Sequence, residues 1–334
     1  MKIIRVILFP VVPIYFMVTW LRNRFYDLGI YKSKSYDFPI VAVGNLSTGG
    51  TGKTPMVEYL IRLLNSQKKV ATLSRGYGRK TKGFLLANAE ATADSIGDEP
   101  FQFYYKFKLD TQVAVCEDRQ NGIETLRLLD HKPEVIILDD AYQHRKVKAG
   151  FYVLLTSYGK LYTNDMVLPT GNLREPKSGA KRAQVIVVTK CPINLLEKEK
   201  AAIINALNPL PNQEVFFSSI AYSDHVYFES GSLLLKDLEK VTLITGIANS
   251  KPLVDYLNQV NITFNHLKFG DHHHFTASEI EEFEKLDTIL TTEKDFMRLK
   301  MHPTIQDKLF YLPITITIDR AEDFNKKILG FVAN

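Results

Sequence analysis

Cysteine is scarce in this sequence. The 334 residues include two cysteines, Cys116 and Cys191, far apart along the chain. Two such residues give neither a disulfide framework nor the spacing of a metal-binding cluster, which excludes a disulfide-stabilised secreted domain and a cysteine-based zinc site. The pattern is typical of free thiols in the reducing cytosol.

A strong excess of one charge sign is also missing. Lys and Arg total 42 and Asp and Glu total 37, so the formal net charge is +5. This mild excess is compatible with an anionic substrate or a membrane surface, but it is too small to indicate a nucleic-acid partner. The chain has no internal repeats, and its length is sufficient for two domains with their own cores.

Long hydrophobic runs are lacking except at the N-terminus. The sixteen residues from Val6 to Leu21 carry no charge, but as a helix they would span ~24 Å, less than the ~30 Å hydrocarbon core of a bilayer. Pro10 and Pro13 interrupt the first half, and no small-residue cleavage site follows the run. Flanking basic and aromatic residues favour an uncleaved membrane anchor over residues 1–30, either a short span or a helix lying in the membrane surface. A buried core helix is the alternative.

Apolar, β-branched runs alternate with helical patterns between residues 31 and 213. Three of these runs are 38–45, 133–144 and 183–191. Strands that are buried on both faces and separated by helices predict a mostly parallel sheet in a three-layer α/β/α domain.

The pattern changes at residue 214. Residues 214–239 alternate apolar and polar side chains around the turn sequence ESGS, which predicts a β-hairpin linker. The strand, loop and helix pattern resumes in 240–334, where the final strand is predicted in FYLPITITI. We therefore expect a second, smaller α/β domain.

The segment VGNLSTGGTGKT, residues 43–54, leads from a predicted strand directly into a predicted helix. This is the context of a P-loop, in which backbone N–H groups and a helix N-terminus face phosphate groups. Ser47 stands where the P-loop signature has its first glycine, at the entry of the loop. The predicted nucleotide-binding residues are Ser47, Thr48, Gly49, Gly50, Thr51, Gly52, Lys53 and Thr54.

A P-loop site also requires an acidic residue at the end of a neighbouring strand to hold or orient magnesium. The sequence VIILDD places Asp139 and Asp140 after four apolar residues. We expect at least one of the two carboxylates to serve the metal, together with the hydroxyl of Thr54.

Other polar residues cluster in predicted loops, and each has a simpler interpretation. Asp98, in the GDEP sequence, either carries chemistry or caps the helix that begins near Pro100. The arginines at 75, 79, 119 and 174 are either site residues or solvated surface residues. Of the three histidines at 272–274, adjacent residues cannot all ligate one metal, so acid–base or orienting chemistry by one imidazole fits better.

The ordered set VGNLSTGGTGKTP, SRGYGR, GDEP, DDAYQH, GNLREP, DHHHF and TTEKD resembles the tetraacyldisaccharide 4′-kinase family, also called lipid A 4′-kinases. The match covers nearly the whole chain and departs from the family at Ala141-Tyr142, where Gly-Phe is common. The resemblance implies two α/β/α domains joined by a β-ribbon, with the active site in the cleft. It also implies transfer of the ATP γ-phosphate to the 4′-hydroxyl of a tetraacylated glucosamine disaccharide 1-phosphate. The enzyme would act at the cytoplasmic face of the bacterial inner membrane, in contact with its lipids and without an obligate protein partner.

The resemblance assigns roles residue by residue. It implies that Asp98 is the catalytic base and that His272 works with it. It implies magnesium ligation by Thr54, Asp139, Asp140 and Glu175, and contact with the substrates by Arg75, Tyr77, Arg119, Gln143 and Arg174.

Two other classes of protein remain open on the P-loop alone. One is a GTPase-like switch, faintly suggested by VVTKCP (187–192), although Thr189 and Pro192 replace the informative residues of the guanine-reading element. The other is a membrane-bound scaffold that only binds a nucleotide. A base at Asp98 assisted by His272 favours catalysis over both.

Overall fold

The computed structural model describes residues 7–271 and 273–333. The helices in this part of the chain are α1 (Val12–Asp27), α2 (Lys53–Asn65), α3 (Ala93–Ile96), α4 (Asp98–Phe107), α5 (Arg119–Leu128), α6 (Glu197–Leu207), α7 (Lys251–Gln259), α8 (Ala277–Phe283), α9 (Glu293–Leu299) and α10 (Ala321–Ala333). Short 3-10 helices cover Phe9–Val11, Tyr162–Asn164, Lys177–Arg182, Leu235–Asp237 and Pro303–Lys308.

The strands of the same residues are β1 (Ile40–Asn45), β2 (Val70–Ser74), β3 (Leu85–Leu86), β4 (Thr111–Val115), β5 (Val135–Asp139), β6 (Phe151–Ser157), β7 (Val185–Thr189), β8 (Glu214–Tyr222), β9 (His225–Phe228), β10 (Gly231–Leu234), β11 (Val241–Thr245), β12 (Phe264–Lys268), β13 (Thr288–Thr292), β14 (Leu309–Leu312) and β15 (Ile314–Ile318).

The first sheet of the described chain has the strand order β15-β8-β7-β6-β1-β5-β2-β4-β3. The seven strands from β8 to β4 run parallel, and β15 and β3 pair antiparallel at the two edges. Every residue of β1, β2, β5 and β7 is buried, because helices cover both faces. This explains why their sequences are continuous apolar runs.

The two faces of this sheet have separate cores. Helices α2, α4 and α10 pack on one face, where Met56, Phe103 and Phe324 are fully buried. On the opposite face lie α5, which contributes Ile123, and α6, which contributes Leu207. The predicted three-layer α/β architecture with a mostly parallel sheet is confirmed.

The second sheet has the order β10-β9-β14-β13-β11-β12. Strands β12, β11, β13 and β14 are parallel, whereas the β9–β10 hairpin is antiparallel to them at the edge. We call the first sheet with its helices the first unit, and the second sheet with α7, α8 and α9 the second unit. Helix α7 packs on one face of the second sheet. Helices α8 and α9 contribute to an apolar cluster that also contains Ile96 and Phe101 of the first unit. The two units therefore share a continuous apolar contact.

Residues 214–239 were predicted as a hairpin linker, and their strand pairing differs from that prediction in part. The hairpin around ESGS is present, with Phe228 opposite Gly231, but β8 joins the first sheet beside β7. The predicted final strand is divided at Pro313. Strand β14 ends the second sheet, and β15 pairs antiparallel with β8, so the chain returns to the first sheet before α10. How the chain divides into folding units stays a prediction.

The predicted anchor over residues 1–30 begins before the described residues. Pro13 lies in the first turn of α1, where its missing N–H costs no helical hydrogen bond. Within residues 7–271 and 273–333, no helix combines the length and the hydrophobicity needed to cross a bilayer.

Candidate active site

The P-loop lies at the carboxyl end of β1, in the centre of the first sheet. Gly52 has φ +83° and precedes the first residue of α2, Lys53. Only glycine adopts such a backbone without strain. Side chains on both sides hold the loop: Asn45 Nδ2 donates to Thr51 Oγ1 at 2.7 Å, and Thr189 Oγ1 donates to the Thr51 carbonyl at 2.8 Å. The sequence-predicted loop is therefore a fixed turn at a helix N-terminus, which is the arrangement that binds phosphate.

The entry of the P-loop is paired with the loop 168–176. Ser47 forms an antiparallel bridge with Leu173. Thr48 N donates to the Asn172 carbonyl at 2.7 Å, and Arg174 N donates to the Leu46 carbonyl at 2.7 Å. A paired backbone does not need the conformational freedom of glycine, which explains why the loop accepts serine at position 47.

Strand β5 lies directly beside β1, with Asp139 in register with Val43. Asp140 follows at φ +47°, and its carboxylate lies 3.6 Å from Lys53 Nζ. Arg174 Nη1 donates to both oxygens of Asp140, at 3.0 and 3.1 Å. Although burial acts in the opposite direction, Lys53 and Arg174 hold the pKa of Asp140 below its usual value.

The carboxylate of Asp139 is buried and incompletely bonded. Its Oδ1 has no hydrogen-bond partner among the described protein atoms. Burial, reinforced by the charge of Asp140, raises the pKa of Asp139 to about 7. An orphaned carboxylate oxygen that needs a cation to stay ionised, within reach of the charge of Lys53, fits the oxygen ligand set of magnesium.

Arg119 and Gln143 also lie near the carboxyl ends of the central strands. Arg119, the first residue of α5, is 2% exposed, and its Nη1 donates to the Cys116 carbonyl at 2.7 Å. Burial lowers the pKa of Arg119 to about 10, so the guanidinium stays charged beside Asp139 and Asp140 at neutral pH. Gln143 Nε2 donates to the Asn45 carbonyl at 2.9 Å, so it braces the end of β1.

Glu175 has a different environment from the one that the sequence predicts. Its carboxylate is 1% exposed and accepts two hydrogen bonds from Arg182, at 2.7 and 3.0 Å. Asn23 and Gln143 donate to it at 2.6 and 2.9 Å. A magnesium ligand has to offer a free lone pair, and these four bonds occupy the carboxylate, so the geometry argues against the predicted metal role of Glu175.

Asp98 is the first residue of α4. Gly97 holds the N-cap position, and no side chain caps the helix there, so Asp98 is not the N-cap that the simpler interpretation expects. Gly97 has φ +94°, and a Cβ at this position would lie 3.0 Å from the Tyr77 carbonyl. This close approach packs the loop 74–79 against the turn that carries Asp98. Arg75 and Tyr77 of this loop are both exposed, Tyr77 to 81%, and both are available to a ligand.

The carboxylate of Asp98 is paired with Arg298 of α9. Arg298 Nε donates to Oδ1 at 3.3 Å, and Nη2 makes a shorter bond to Oδ2. His272 lies outside the described residues. Its neighbour His273 hydrogen-bonds Glu279 at 2.9 Å and stacks on Phe269, which assigns that imidazole to the packing of the second unit.

The family model of tetraacyldisaccharide-1-P 4′-kinases matches residues 4–333. The chain belongs to this family. A tetraacyldisaccharide 4′-kinase of Flavobacterium johnsoniae is 49% identical over 99% of this chain and 98% of its own length. One from Phocaeicola vulgatus is 44% identical over 97% of this chain and 94% of its own length. A crystal structure of LpxK from Aquifex aeolicus in complex with ATP superposes with a TM-score of 0.81 at 30% identity, covering 98% of this chain and 99% of that chain. The family predicted from the ordered sequence set is confirmed.

In this member of the family, α1 is bound to the site by its polar side. Tyr15 Oη donates to the Arg174 carbonyl at 2.9 Å. Arg22 Nη2 donates to the Gln143 carbonyl at 2.7 Å, and Asn23 reaches Glu175. The loop that follows Asp140 and the loop that carries Arg174 are therefore connected directly to the N-terminal helix.

Two contacts near this 4′-kinase site, made by Arg298 and Lys190, could not be predicted from the sequence. Arg298 lies just after the TTEKD sequence, but nothing local indicates its partner 200 positions away. Lys190 donates to the Gly50 carbonyl at 2.6 Å, and the lysine of VVTKCP is its only signal. Arg79 is paired with Glu117 at 2.6 Å, and its side chain is 2% exposed; the surface interpretation is therefore wrong for Arg79 as well as for Arg119.

Proposed function

We propose that this chain transfers the γ-phosphate of ATP to the 4′-hydroxyl of a tetraacylated glucosamine disaccharide 1-phosphate, in lipid A biosynthesis. The observation that carries the proposal is the meeting of the P-loop lysine, Lys53, with Asp140 at the carboxyl ends of the adjacent strands β1 and β5, where Asp139 also lies. Family membership over residues 4–333 supplies the identity of the acceptor.

The P-loop holds the nucleotide. Its backbone N–H groups and the N-terminus of α2 bind the phosphates, and Lys53 neutralises charge on the transferred group. Arg174 and Arg119 add positive charge next to Asp140. Thr54, Asp139 and Asp140 are the residues that would hold a magnesium ion, which would supply positive charge to the transferring phosphoryl group.

Asp98 accepts the proton of the acceptor hydroxyl. The alcohol oxygen then forms a bond to the γ-phosphorus as the bond to the β-phosphate oxygen breaks, so ADP is the leaving group. The role proposed for His272 is to orient or tune the carboxylate. Arg75 and Tyr77, on the loop beside Gly97, are proposed to contact the disaccharide.

The acceptor is a lipid, so the enzyme has to reach it at a bilayer. The apolar residues Ile14, Met17, Val18 and Leu21 follow one another at helical spacing on α1, and all are exposed. We assign this face to the cytoplasmic surface of the bacterial inner membrane, with α1 lying in the interface.

The experiment measures transfer of labelled phosphate from ATP, and in parallel from GTP, to the tetraacylated disaccharide 1-phosphate in mixed micelles. Wild-type protein should label the lipid from ATP. Lys53→Ala should abolish transfer, and Asp98→Asn should lower kcat by roughly 10²–10⁴-fold with little change in ATP affinity. His272→Ala should also slow turnover.

Asp94→Asn is the matched control, because it makes the same chemical change at an exposed carboxylate whose partner is the exposed Lys80. It should retain full activity. Near-wild-type turnover in a stable Asp98→Asn protein would contradict the base assignment. Absence of lipid labelling by wild-type protein would contradict the function itself.

A further inference from the structure

The Arg298 guanidinium binds the proposed base, Asp98, and a backbone carbonyl of the second unit. The Arg298 side chain is 9% exposed and that of Asp98 is 16% exposed. Two N–H groups of Arg298 reach the two oxygens of Asp98. Its remaining terminal nitrogen, Nη1, donates to the His273 carbonyl at 3.1 Å. Arg298 therefore binds both the carboxylate and the backbone next to His272.

The helices that carry the pair are fixed along their length. Lys294 of α9 lies 3.6 Å from Glu99 of α4. Further along α4, Lys106 bonds Glu293 of α9 and Glu58 of α2, each at 2.5 Å. Because these contacts hold α4 against α9, the fork of Arg298 has a defined position relative to Asp98.

We infer that Arg298 is a positioning residue for the reaction, which orients the carboxylate of Asp98 and ties it to the backbone at His273. The inference rests on the proposed function. Each carboxylate oxygen offers about two lone-pair positions. Arg298 occupies one of these positions on each oxygen.

The fork also brings a positive charge into contact with the carboxylate. A cation in contact with a carboxylate lowers its pKa by roughly 1–3 units. Charged groups that face the pair come from three helices: Glu99 of α4, Lys294 and Asp295 of α9, and Glu279 of α8, which bonds His273. Glu99 and Lys294 form an ion pair with each other, and Arg298 bonds Asp98 directly.

The test compares the pH dependence of kcat for wild-type, Arg298→Gln, Arg298→Lys and Lys294→Gln proteins, with labelled ATP and the lipid acceptor. Arg298→Gln should lower kcat at least tenfold and move the acidic limb of the profile up by about one pH unit. The KM for ATP should stay within twofold, because the P-loop is unchanged. Arg298→Lys keeps the charge but not the fork, so its acidic limb should stay near the wild-type position while kcat falls.

Lys294→Gln is the matched control. It removes a cation one helical turn earlier, at the same interface, and should leave the acidic limb in place. If Arg298→Gln gives the same profile as Lys294→Gln, the role of Arg298 is overturned while the function stands. If Arg298→Gln does not fold, the Arg298→Lys protein provides the test. A wild-type kcat of Arg298→Lys across the whole pH range would show that the reaction does not need the guanidinium fork. A wild-type protein without kinase activity would overturn both proposals.

Discussion

Asp139 and Asp140 are adjacent in the chain, but their protonation responds to opposite influences. Burial raises the pKa of Asp139 to about 7 from a usual 3.8. For Asp140, the cations Lys53 and Arg174 outweigh burial and lower its pKa. Asp139 therefore needs a further cation to stay ionised, whereas Asp140 already has two cations beside it. Because of this contrast, the proposed magnesium site can be tested by measuring protein stability, without an activity assay.

Asp139→Asn should stabilise the metal-free protein at pH 8. The folded state binds the Asp139 proton more tightly than the unfolded chain does, so the stability linked to this group is fully present below pH ~4 and is lost as pH rises through 7. A difference of about three pKa units corresponds to at most about 4 kcal/mol. The melting temperature in EDTA should therefore rise in Asp139→Asn at pH 8 and change little at pH 4.5.

Asp140→Asn is the control for this measurement. The pKa of Asp140 is lowered in the folded protein, so this substitution should decrease the stability at pH 8. Magnesium should raise the melting temperature of wild-type protein at pH 8 and should have a smaller effect on Asp139→Asn. Equal stabilisation of both proteins by magnesium would contradict ligation by Asp139.

Single residues were predictable where their signal is local. The P-loop residues and the two acids follow from short patterns attached to strands, and the structure places them together. Arg182 is the partner of Glu175, and Arg298, on helix α9 beside the second sheet, is the partner of Asp98. Such contacts depend on the tertiary fold, so composition and spacing do not reveal them.

At the scale of elements, α1 has two sides with separate roles. Its exposed side carries Met17 and Val18 at 54% and 56% exposure. Its other side places Tyr15, Arg22 and Asn23 on the loops of the active site. A deletion of the whole helix would remove both roles at once, so point substitutions are the sharper test.

The double variant Met17→Glu, Val18→Glu should lower binding to vesicles of phosphatidylethanolamine and phosphatidylglycerol by about tenfold or more, because charged residues replace the apolar side that enters the interface. Binding of ATP should be unchanged. Tyr15→Phe is the matched variant on the opposite side: it should bind vesicles normally but lower kcat severalfold, because it releases the Arg174 carbonyl. Co-sedimentation and the kinase assay measure the two properties separately, and wild-type vesicle binding by the double variant would contradict the assignment.

Element prediction succeeded where a strand is buried on both faces. Strands β1, β5 and β7 follow from their apolar runs, and α2 follows from its helical spacing. The run FYLPITITI was predicted as one strand, but Pro313 separates β14 from β15. The sequence does not show which sheet each half joins, because strand partners are set by contacts between distant segments.

At the scale of the whole molecule, α10 covers the P-loop helix. Phe324 is fully buried and makes edge contacts with Tyr59 of α2 and Phe216 of β8, with ring centroids 5.9 and 5.4 Å apart. Tyr59 also donates a hydrogen bond to Asn325 at 2.8 Å. The predicted boundary at residue 240 does not account for this return of the chain to the first sheet. The sequence pattern of a strand or helix in the C-terminal segment does not show which sheet that element joins.

Phe324→Ala should lower the free energy of unfolding by roughly 3–5 kcal/mol, since it leaves a cavity between α2 and β8. The urea midpoint should fall and the nucleotide should be bound more weakly, although Phe324 is not a site residue. Lys326→Ala, at an exposed position two residues later, should change stability by less than about 0.5 kcal/mol. Equal urea midpoints for the two variants would contradict the packing role of α10.

The return of β15 and α10 to the first sheet also bears on how the protein is made. During synthesis, the P-loop and its acids emerge long before residues 314–333, which complete the edge beside β8 and cover α2. Until then, β8 has an unpaired edge and α2 an uncovered apolar surface, features that favour aggregation of nascent chains. Residues 314–333, which complete the nucleotide-binding half, are thus synthesised after the other strands of that half. The second sheet, whose strands β9 to β14 are contiguous in sequence, has all of its strands available earlier.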